Sequence, residues 1–153
     1  MNTTSATLND LFASSFARYL RIRPTGLRFP HGLLRSTVPA TLLTCRPART
    51  LYKNRKPICR SLDGIRSIKE HASCTACTQR KDCTAQIYLE VLVDGAPYKL
   101  LLAYTSARNF MQFASRLKQK GQDVENAEVI LSVLDRGRWG ELRFISRPPS
   151  PQP

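Results

Sequence analysis

The stretch that decides the fold is QIYLEVLV-DGAP-YKLLLAY, residues 86–104. Two apolar runs, residues 86–93 and 98–104, flank Asp94-Gly95, a dipeptide typical of a tight hairpin turn. This pattern predicts two antiparallel strands. Because successive side chains alternate across a strand, we expect Tyr98 and Lys99 on opposite faces of the sheet.

A helix is predicted directly after this hairpin. Ser106 stands where a helix cap is needed, and Lys118, Lys120 and Gly121 follow in the order expected at a helix C-terminus. The residues predicted to form its apolar side are Phe110, Met111, Phe113, Ala114 and Leu117. Their helical spacing indicates a core position rather than a binding site.

Two more strands, residues 128–134 (EVILSVL) and 141–145 (ELRFI), follow the helix. A further strand before the first hairpin is expected from residues 50–58 or 65–69. Three strands, a helix and two strands form the oligonucleotide-binding (OB) barrel, which is five-stranded and partly open. The predicted fold is therefore mainly β with one helix (α+β), an OB-like barrel with an attached four-cysteine zinc ribbon. A two-layer α+β sandwich is the alternative.

Positive charge is concentrated in the first 60 of the 153 residues. The chain has 24 Lys and Arg against 11 Asp and Glu, a net charge of +13. Residues 1–60 hold eleven of the basic side chains and one acidic side chain. This excess favours a polyanionic partner, nucleic acid or an anionic membrane surface, although a basic tail can also serve solubility alone. No apolar run reaches the roughly 18 residues of a membrane span, so membrane insertion is not expected.

Composition divides the chain into three parts. Residues 1–50 are Arg-rich and proline-interrupted, which predicts a basic, largely flexible arm. The same composition is typical of an organellar transit peptide, so a mitochondrial matrix protein with a cleaved presequence of about 45 residues is an alternative, as is a misassigned start codon. Residues 51–146 are predicted to be the ordered domain. Residues 147–153 hold four prolines and are predicted to be disordered.

Four of the five cysteines form a cluster, Cys59, Cys74, Cys77 and Cys83, spaced C-x14-C-x2-C-x5-C. An odd cysteine count without a secretory signal argues against a disulfide framework and favours a reducing compartment, here the cytoplasm. A C-x2-C pair presents two thiolates to one ion, and four thiolates complete the tetrahedral shell of a structural Zn²⁺. Basic neighbours would offset the charge of these thiolates: Arg60, Lys69, Arg80 and Lys81.

Other roles for this cluster remain open. Cys74 and Cys77 could form a redox pair, or the cysteines could be unpaired thiols, and His71 could replace one ligand. Cys59 with His71 as its base is the only nucleophilic pair the sequence offers, and there is no Ser-His-Asp set, phosphate loop or dinucleotide fingerprint. We therefore expect no enzyme.

The segment Pro57-Ile58-Cys59-Arg60-Ser61-Leu62-Asp63-Gly64, followed by Cys74-Thr75-Ala76-Cys77 and Cys83, resembles small proteins encoded by bacteriophages and other bacterial mobile elements. The resemblance covers residues 56–145. Those proteins look like OB-type single-stranded DNA-binding proteins with a zinc ribbon. The resemblance implies metal ligation by the four cysteines and carries over no base-contacting residue. The gap between Cys77 and Cys83 is unusually short for this pattern.

Single strands are held by cationic side chains along the phosphates and by aromatic rings on which bases stack. The candidate contacts are Arg80, Lys81, Tyr88, Tyr98, Lys99, Tyr104, Arg136, Arg138 and Trp139. The sequence thus predicts a non-catalytic protein of a bacterial host cytoplasm that binds single-stranded DNA or RNA and is stabilised by structural zinc. A zinc-stabilised protein–protein adaptor is the main alternative.

Overall fold

The computed structural model of the chain describes residues 18–63, 65, 67, 73, 74 and 76–147. Within these residues the chain forms nine strands, one α-helix and a short 3-10 helix. The elements are β1 (Arg21–Arg23), β2 (Gly26–Arg28), β3 (Leu34–Arg35), β4 (Thr37–Lys53), β5 (Lys56–Ser61), the 3-10 helix (Arg80–Asp82), β6 (Thr84–Val93), β7 (Ala96–Ala103), α1 (Tyr104–Gln119), β8 (Glu128–Asp135) and β9 (Gly140–Ser146). None of the helices in these ranges is long and apolar enough to cross a membrane.

The hairpin predicted from residues 86–104 is confirmed. Strands β6 and β7 pair antiparallel from Gln86↔Ala103 to Val93↔Ala96. Asp94 and Gly95 have φ of 50° and 81°, as a turn matched to the twist of a hairpin requires. The second predicted hairpin, β8–β9, is also present, with pairs from Val129↔Ser146 to Asp135↔Gly140.

The strand that organises the sheet is β4, and it lies mostly in the region predicted to be a flexible arm. Its inward side chains Val38, Ala40 and Leu42 are buried in the core, and more exposed residues alternate with them. Pro39 has a strand partner only on the β8 side, and Pro47 only on the β6 side. Each proline therefore stands where one edge of the strand is unpaired, a position at which a strand tolerates it.

The structure thus differs from the predicted domain boundary at residue 51, because residues 21–50 supply strands of the ordered domain. A presequence ending near residue 45 does not suit this fold, since its removal would take Val38, Ala40 and Leu42 out of the core. Residues 1–17 and 148–153 lie outside the described part of the chain. The predicted disordered tail, apart from Arg147, falls there.

The main sheet has the order β7-β6-β4-β8-β9, and β5 pairs with the C-terminal part of β4. Its edge strands β7 and β9 do not pair within the described residues, so the barrel is not closed. The chain at residues 18–23 lies between these edges. Its backbone is bonded to β7 by Leu20 N donating to Lys99 O (2.8 Å) and Lys99 N donating to Arg18 O (2.9 Å).

Close packing between Gly140 and Arg23 brings the other edge near the same segment. A Cβ on Gly140 would clash with the Arg23 carbonyl oxygen. Glycine is therefore the residue that allows β9 to approach β1 at this point.

Helix α1 covers the core through Phe110, Phe113 and Leu117, all buried. The rings of Phe110 and Phe113 lie 5.3 and 5.9 Å from that of Phe144 on β9. Met111, predicted on the apolar side, is instead 58% exposed. Successive residues of a helix lie about 100° apart around its axis, so Met111 falls beside the buried stripe rather than on it. The core is thus one apolar cluster to which the main sheet, the helix and the N-terminal residues Leu20, Leu27 and Phe29 all contribute.

The predicted helix cap is also wrong. The helix begins at Tyr104, and its N-cap residue Ala103 makes no side-chain capping bond. Ser106 is buried, and its hydroxyl accepts a hydrogen bond from Leu142 N at 3.0 Å. The hydroxyl therefore fixes β9 to the helix. At the other end, Gln122 N donates to Leu117 O at 2.9 Å after Gly121, which has φ 72°, so the predicted C-terminus is confirmed.

The described part of the chain is therefore mainly β with one α-helix, as predicted for the fold class. The predicted extra strand before the hairpin exists, but it is longer and earlier than expected. It spans Thr37–Lys53, and a turn at Asn54 and Arg55 separates it from β5.

Candidate nucleic-acid interface and cysteine cleft

Three of the clustered cysteines are brought together by successive turns. Cys77 N donates to Cys74 O (3.3 Å), Arg80 N to Cys77 O (3.3 Å) and Cys83 N to Arg80 O (3.1 Å). Side chains three residues apart in such turns lie above one another. The spacing therefore places Cys74, Cys77, Arg80 and Cys83 along one side of the segment.

The fourth cysteine comes from β5, where Cys59 pairs with Leu51 of β4. All four cysteines line a single cleft of about 280 Å³, which we call the cysteine cleft. Arg49 and Arg80 line it as well, and Arg49 Nη1 donates to Arg80 O at 3.3 Å. The four cysteines predicted to bind metal therefore line the same cleft.

The surroundings of Cys83 in this cleft shift its pKa. Burial raises the pKa of Cys83, the nearby Arg49 opposes that rise, and Cys59, Cys77 and Cys74 add to it. In the described part of the chain, no three His, Cys, Asp or Glu side chains are gathered closely enough to hold a metal ion as they stand. His71, the alternative ligand, lies outside the described residues. Cys45 is exposed on β4 and does not line the cleft.

The residues after Cys59 fix the exit of β5. Ser61 is buried, and its hydroxyl donates to Asp63 Oδ1 at 3.0 Å. The same oxygen accepts Ile65 N at 2.8 Å. The Asp63 side chain therefore mimics a backbone turn, and Cys74 N donates to the Ile65 carbonyl oxygen to join this turn to the cysteine segment.

A second cleft lies between the start of α1 and the β8–β9 turn. Its two large aromatic side chains are Tyr104, which is 78% exposed, and Trp139, which is 47% exposed. We call this space, of about 500 Å³, the aromatic cleft; its apolar wall is formed by Ile22, Leu101 and Ala103. Tyr104 has φ 51°, a left-handed conformation that is uncommon for a residue with a Cβ. Two predicted base-stacking residues thus share one cleft.

A third cleft adjoins the aromatic cleft on the outer face of β6 and β7, and the two share Ile22 and Leu101. We call it the arginine cleft; its volume is about 610 Å³. The polar side chains that line it are Tyr19, Arg21, Arg23, Tyr52, Arg60 and Gln86. The described residues lining these two clefts include no Asp or Glu.

Two of the predicted aromatic contacts are corrected by the structure. Tyr88 is 4% exposed, and its hydroxyl donates to Glu90 Oε1 at 2.7 Å. Burial raises the pKa of Tyr88, and the bond to Glu90 adds to this rise. Tyr98 packs against the core with its ring edge-on to Phe29, 5.2 Å between centroids. Tyr88 is therefore closed to a base, and Tyr98 is partly buried against the core.

The basic candidates occupy three places. Arg80 and Lys81 are exposed on the 3-10 helix beside the cysteine cleft. Lys99 lies on the outer face of β7, with its ammonium 5.9 Å from the Tyr19 ring centre. Arg136 and Arg138 are exposed in the β8–β9 turn. Only this last pair flanks the aromatic cleft in sequence, next to Trp139.

Arg136 is anchored by a buried carboxylate. It donates to Glu141 Oε1 at 3.3 Å, and Arg143 donates to Glu141 Oε2 at 2.9 Å. The Arg143 hydrogen bond and the Arg136 charge lower the pKa of Glu141 against the effect of burial. This anchoring orients the turn that carries Trp139.

Sequence reasoning missed the cleft residues that come from the first 60 positions, namely Tyr19, Arg21, Arg23 and Tyr52; Arg60 was noted only as a neighbour of the thiols. The signal that could have found them is the alternation Arg21-Ile22-Arg23 before Pro24 and Gly26, a short strand with one apolar residue between two basic ones. The chain matches no known family model, no curated protein and no solved structure.

Proposed function

We propose that this chain is a non-catalytic binding protein for single-stranded nucleic acid, with an OB-like sheet and a cysteine module stabilised by structural Zn²⁺. The observation that carries the proposal is the aromatic cleft, where exposed Tyr104 and Trp139 stand together beside an arginine-lined cleft. Stacking on aromatic rings and neutralisation of phosphates are the two interactions by which single strands are held.

The strand order supports an OB-like assignment. On the path of the main sheet, β4, β6 and β7 precede the helix and β8 and β9 follow it, with β4 joining the two groups; β1, β2, β3 and β5 are additional strands before the helix. OB folds bind oligonucleotides on the face of their second and third strands and through the loops after the first and fourth strands. In this chain the corresponding parts are the outer face of β6 and β7, the segment 54–83, and the turn 136–139.

Zinc is supported by the chemistry of the cysteine cleft. Four thiols line one small space with two arginines beside them, and Zn²⁺ binds four thiolates in structural sites. The sequence of the segment 62–83 has few apolar residues to bring to a core, so metal binding would supply free energy that packing does not. Cys59, Cys74, Cys77 and Cys83 would be the ligands.

The charge of the molecule is consistent with a polyanionic ligand, since its net charge is +13. In keeping with the resemblance described above, we propose a role in the DNA metabolism of a bacteriophage or mobile element, in the cytoplasm of the bacterial host. DNA and RNA share the phosphodiester chemistry that these clefts would recognise.

The single tryptophan provides the test. Titration with oligo(dT) should quench Trp139 fluorescence, and Tyr104→Ala should weaken binding about tenfold, because a base stacked on an aromatic ring contributes roughly 1–3 kcal/mol. Met111→Ala, at an exposed site on α1, is the matched control and should bind like the wild type. Unchanged fluorescence at saturating oligonucleotide would contradict the proposal.

A protein–protein adaptor remains the second candidate because one observation favours it. Leu33, which precedes β3, and Leu34, its first residue, are 50% and 43% exposed, and exposed apolar neighbours are typical of protein contact sites. Replacing both with Ser should leave oligonucleotide binding unchanged under the first proposal.

A further inference from the structure

We infer that the segment 18–23, together with Arg60, forms a phosphate-binding track along which the backbone of the bound strand runs from the aromatic cleft. This inference rests on the proposed function and extends it to the arginine cleft. The occupant is a phosphodiester backbone whose neighbouring base lies between Tyr104 and Trp139.

The track begins with a strand-like segment whose side chains alternate. All five residues from Tyr19 to Arg23 line the arginine cleft, but Leu20 and Ile22 also pack against the core, whereas Arg21 and Arg23 are exposed. The backbone bonds between this segment and Lys99 of β7 hold it along the open edge of the sheet. The two arginines are therefore presented by an element with a fixed direction rather than by a loop.

The close approach of Gly140 to Arg23 connects the track to the aromatic cleft. The β8–β9 turn that carries Trp139 packs against the Arg23 carbonyl group, with room for no more than a glycine. The two clefts also share the side chains of Ile22 and Leu101. A strand that stacks a base beside Trp139 is thus directed to Arg23 and Arg21 next.

The third arginine is held in place by a polar network under the cleft. Arg60 Nε donates to Thr50 Oγ1 at 3.2 Å, and the buried Thr50 hydroxyl donates to Gln86 Oε1 at 2.5 Å. Gln86 Nε2 donates to the Tyr52 hydroxyl at 3.4 Å. A guanidinium bonded through Nε has two further nitrogens that can donate to phosphate oxygens, which is the strong bidentate arrangement.

Charge complementarity favours a phosphodiester in this cleft. Three arginines line it, and none of the described residues that line it is Asp or Glu. The acidic side chain on the same face whose charge acts on Tyr19 is Glu90, and it accepts the Tyr88 hydroxyl. A single free anion could be bound by one of these arginines. Consecutive phosphates of a strand could instead each contact a different arginine, because Arg21 and Arg23 are spaced along β1.

The test compares two pairs of arginine substitutions that remove equal charge. R21Q/R23Q changes the track, and R108Q/R116Q changes two exposed arginines on α1. For each protein the dissociation constant for oligo(dT) and for oligo(rU) is measured at several salt concentrations. The salt slope for a single strand falls by about 0.7 for every phosphate that the protein no longer neutralises.

We expect R21Q/R23Q to lower the slope by about 1.4 and to weaken low-salt binding roughly tenfold, with the Trp139 quench at saturation unchanged. R108Q/R116Q should keep the wild-type slope, and R21K/R23K should restore most of it. Thermal unfolding of each variant shows whether its fold is intact. If R21Q/R23Q and R108Q/R116Q have equal salt slopes while the wild type still binds, the phosphate-binding track is wrong but the proposed function stands. Failure of the wild type to bind either oligonucleotide would overturn the proposed function as well.

Discussion

Cys59 and Arg60 are neighbours on β5 and line different clefts. Cys59 lines the cysteine cleft, whereas Arg60 lines the arginine cleft and bonds Thr50 on β4. This follows from the alternation of side chains along a strand. The strand β5 therefore separates the proposed metal site from the proposed nucleic-acid track. Because one peptide unit links Cys59 to Arg60, a shift of Cys59 in the metal site would also move Arg60 in the track.

The first prediction concerns metal content. The protein purified without chelator should carry one Zn²⁺ per chain, measured by native mass spectrometry, and Cys77→Ser should lose it because one thiolate of four is missing. Cys45→Ser is the matched control, since Cys45 lies outside the cysteine cleft. A protein that is free of metal and has the same thermal stability with and without chelator would contradict the zinc proposal.

The second prediction concerns coupling across β5. Chelation should weaken oligo(dT) binding in the wild type, because Arg60 follows Cys59 on the strand whose position the metal would fix. Arg60→Gln should bind more weakly at the outset and lose little more on chelation. If both proteins lose affinity equally when the metal is removed, Arg60 does not carry the coupling.

The third prediction concerns Gly140. Gly140→Ala would place a Cβ against the Arg23 carbonyl oxygen and 2.9 Å from Val133 Cγ1. We expect a loss of about 1–3 kcal/mol in the free energy of unfolding, the usual cost of overpacking. Ser146→Ala, at an exposed position of the same strand, should be nearly neutral. Denaturant unfolding that finds the two variants equally stable would show that β1 and β9 do not pack this closely.

The fourth prediction concerns acid stability. The pKa of Glu141 is lowered from 4.5, first by the Arg143 hydrogen bond. A lowered folded-state pKa stabilises the fold above the unfolded value, and this contribution is lost as the pH falls through the folded value. Glu141→Gln should therefore cost about 1 kcal/mol at neutral pH and flatten the fall in stability below pH 4.5. If the variant and the wild type lose stability equally as the pH falls, the Glu141 carboxylate does not stabilise the fold.

Local patterns predicted the part of the fold that depends on neighbouring residues. The Asp94-Gly95 turn and the apolar runs beside it identified the β6–β7 hairpin, and the helical spacing of Phe110, Phe113 and Leu117 identified α1. The central strand β4 was not predicted, because Pro39 and Pro47 interrupt its alternation of buried and exposed residues. A strand tolerates proline only where that edge is unpaired, and which edge is unpaired depends on the whole sheet.

In the candidate site, too, local patterns predicted some features, whereas features that depend on long-range contacts were not predicted. The cysteine spacing indicated that Cys74, Cys77 and Cys83 share one side of their segment, because successive turns are local, whereas the position of Cys59 depends on the pairing of β5 with β4. The exposure of the aromatic residues was not predictable, since Tyr88 is buried on β6 between β4 and β7, and Tyr98 contacts Phe29, which is distant in sequence. Likewise, the position of the β1 arginines depends on long-range contacts, because residues 18–20 are bonded to β7.

The most direct measurement is photo-crosslinking of a 5-iodouracil oligonucleotide to the full chain, followed by mass spectrometry of the adducts. Single-strand binding in the aromatic cleft predicts adducts on Tyr104 or Trp139, which are lost on competition with unlabelled oligo(dT). Adducts confined to the exposed face of α1, around Met111, or the absence of any adduct that a competitor removes, would contradict it.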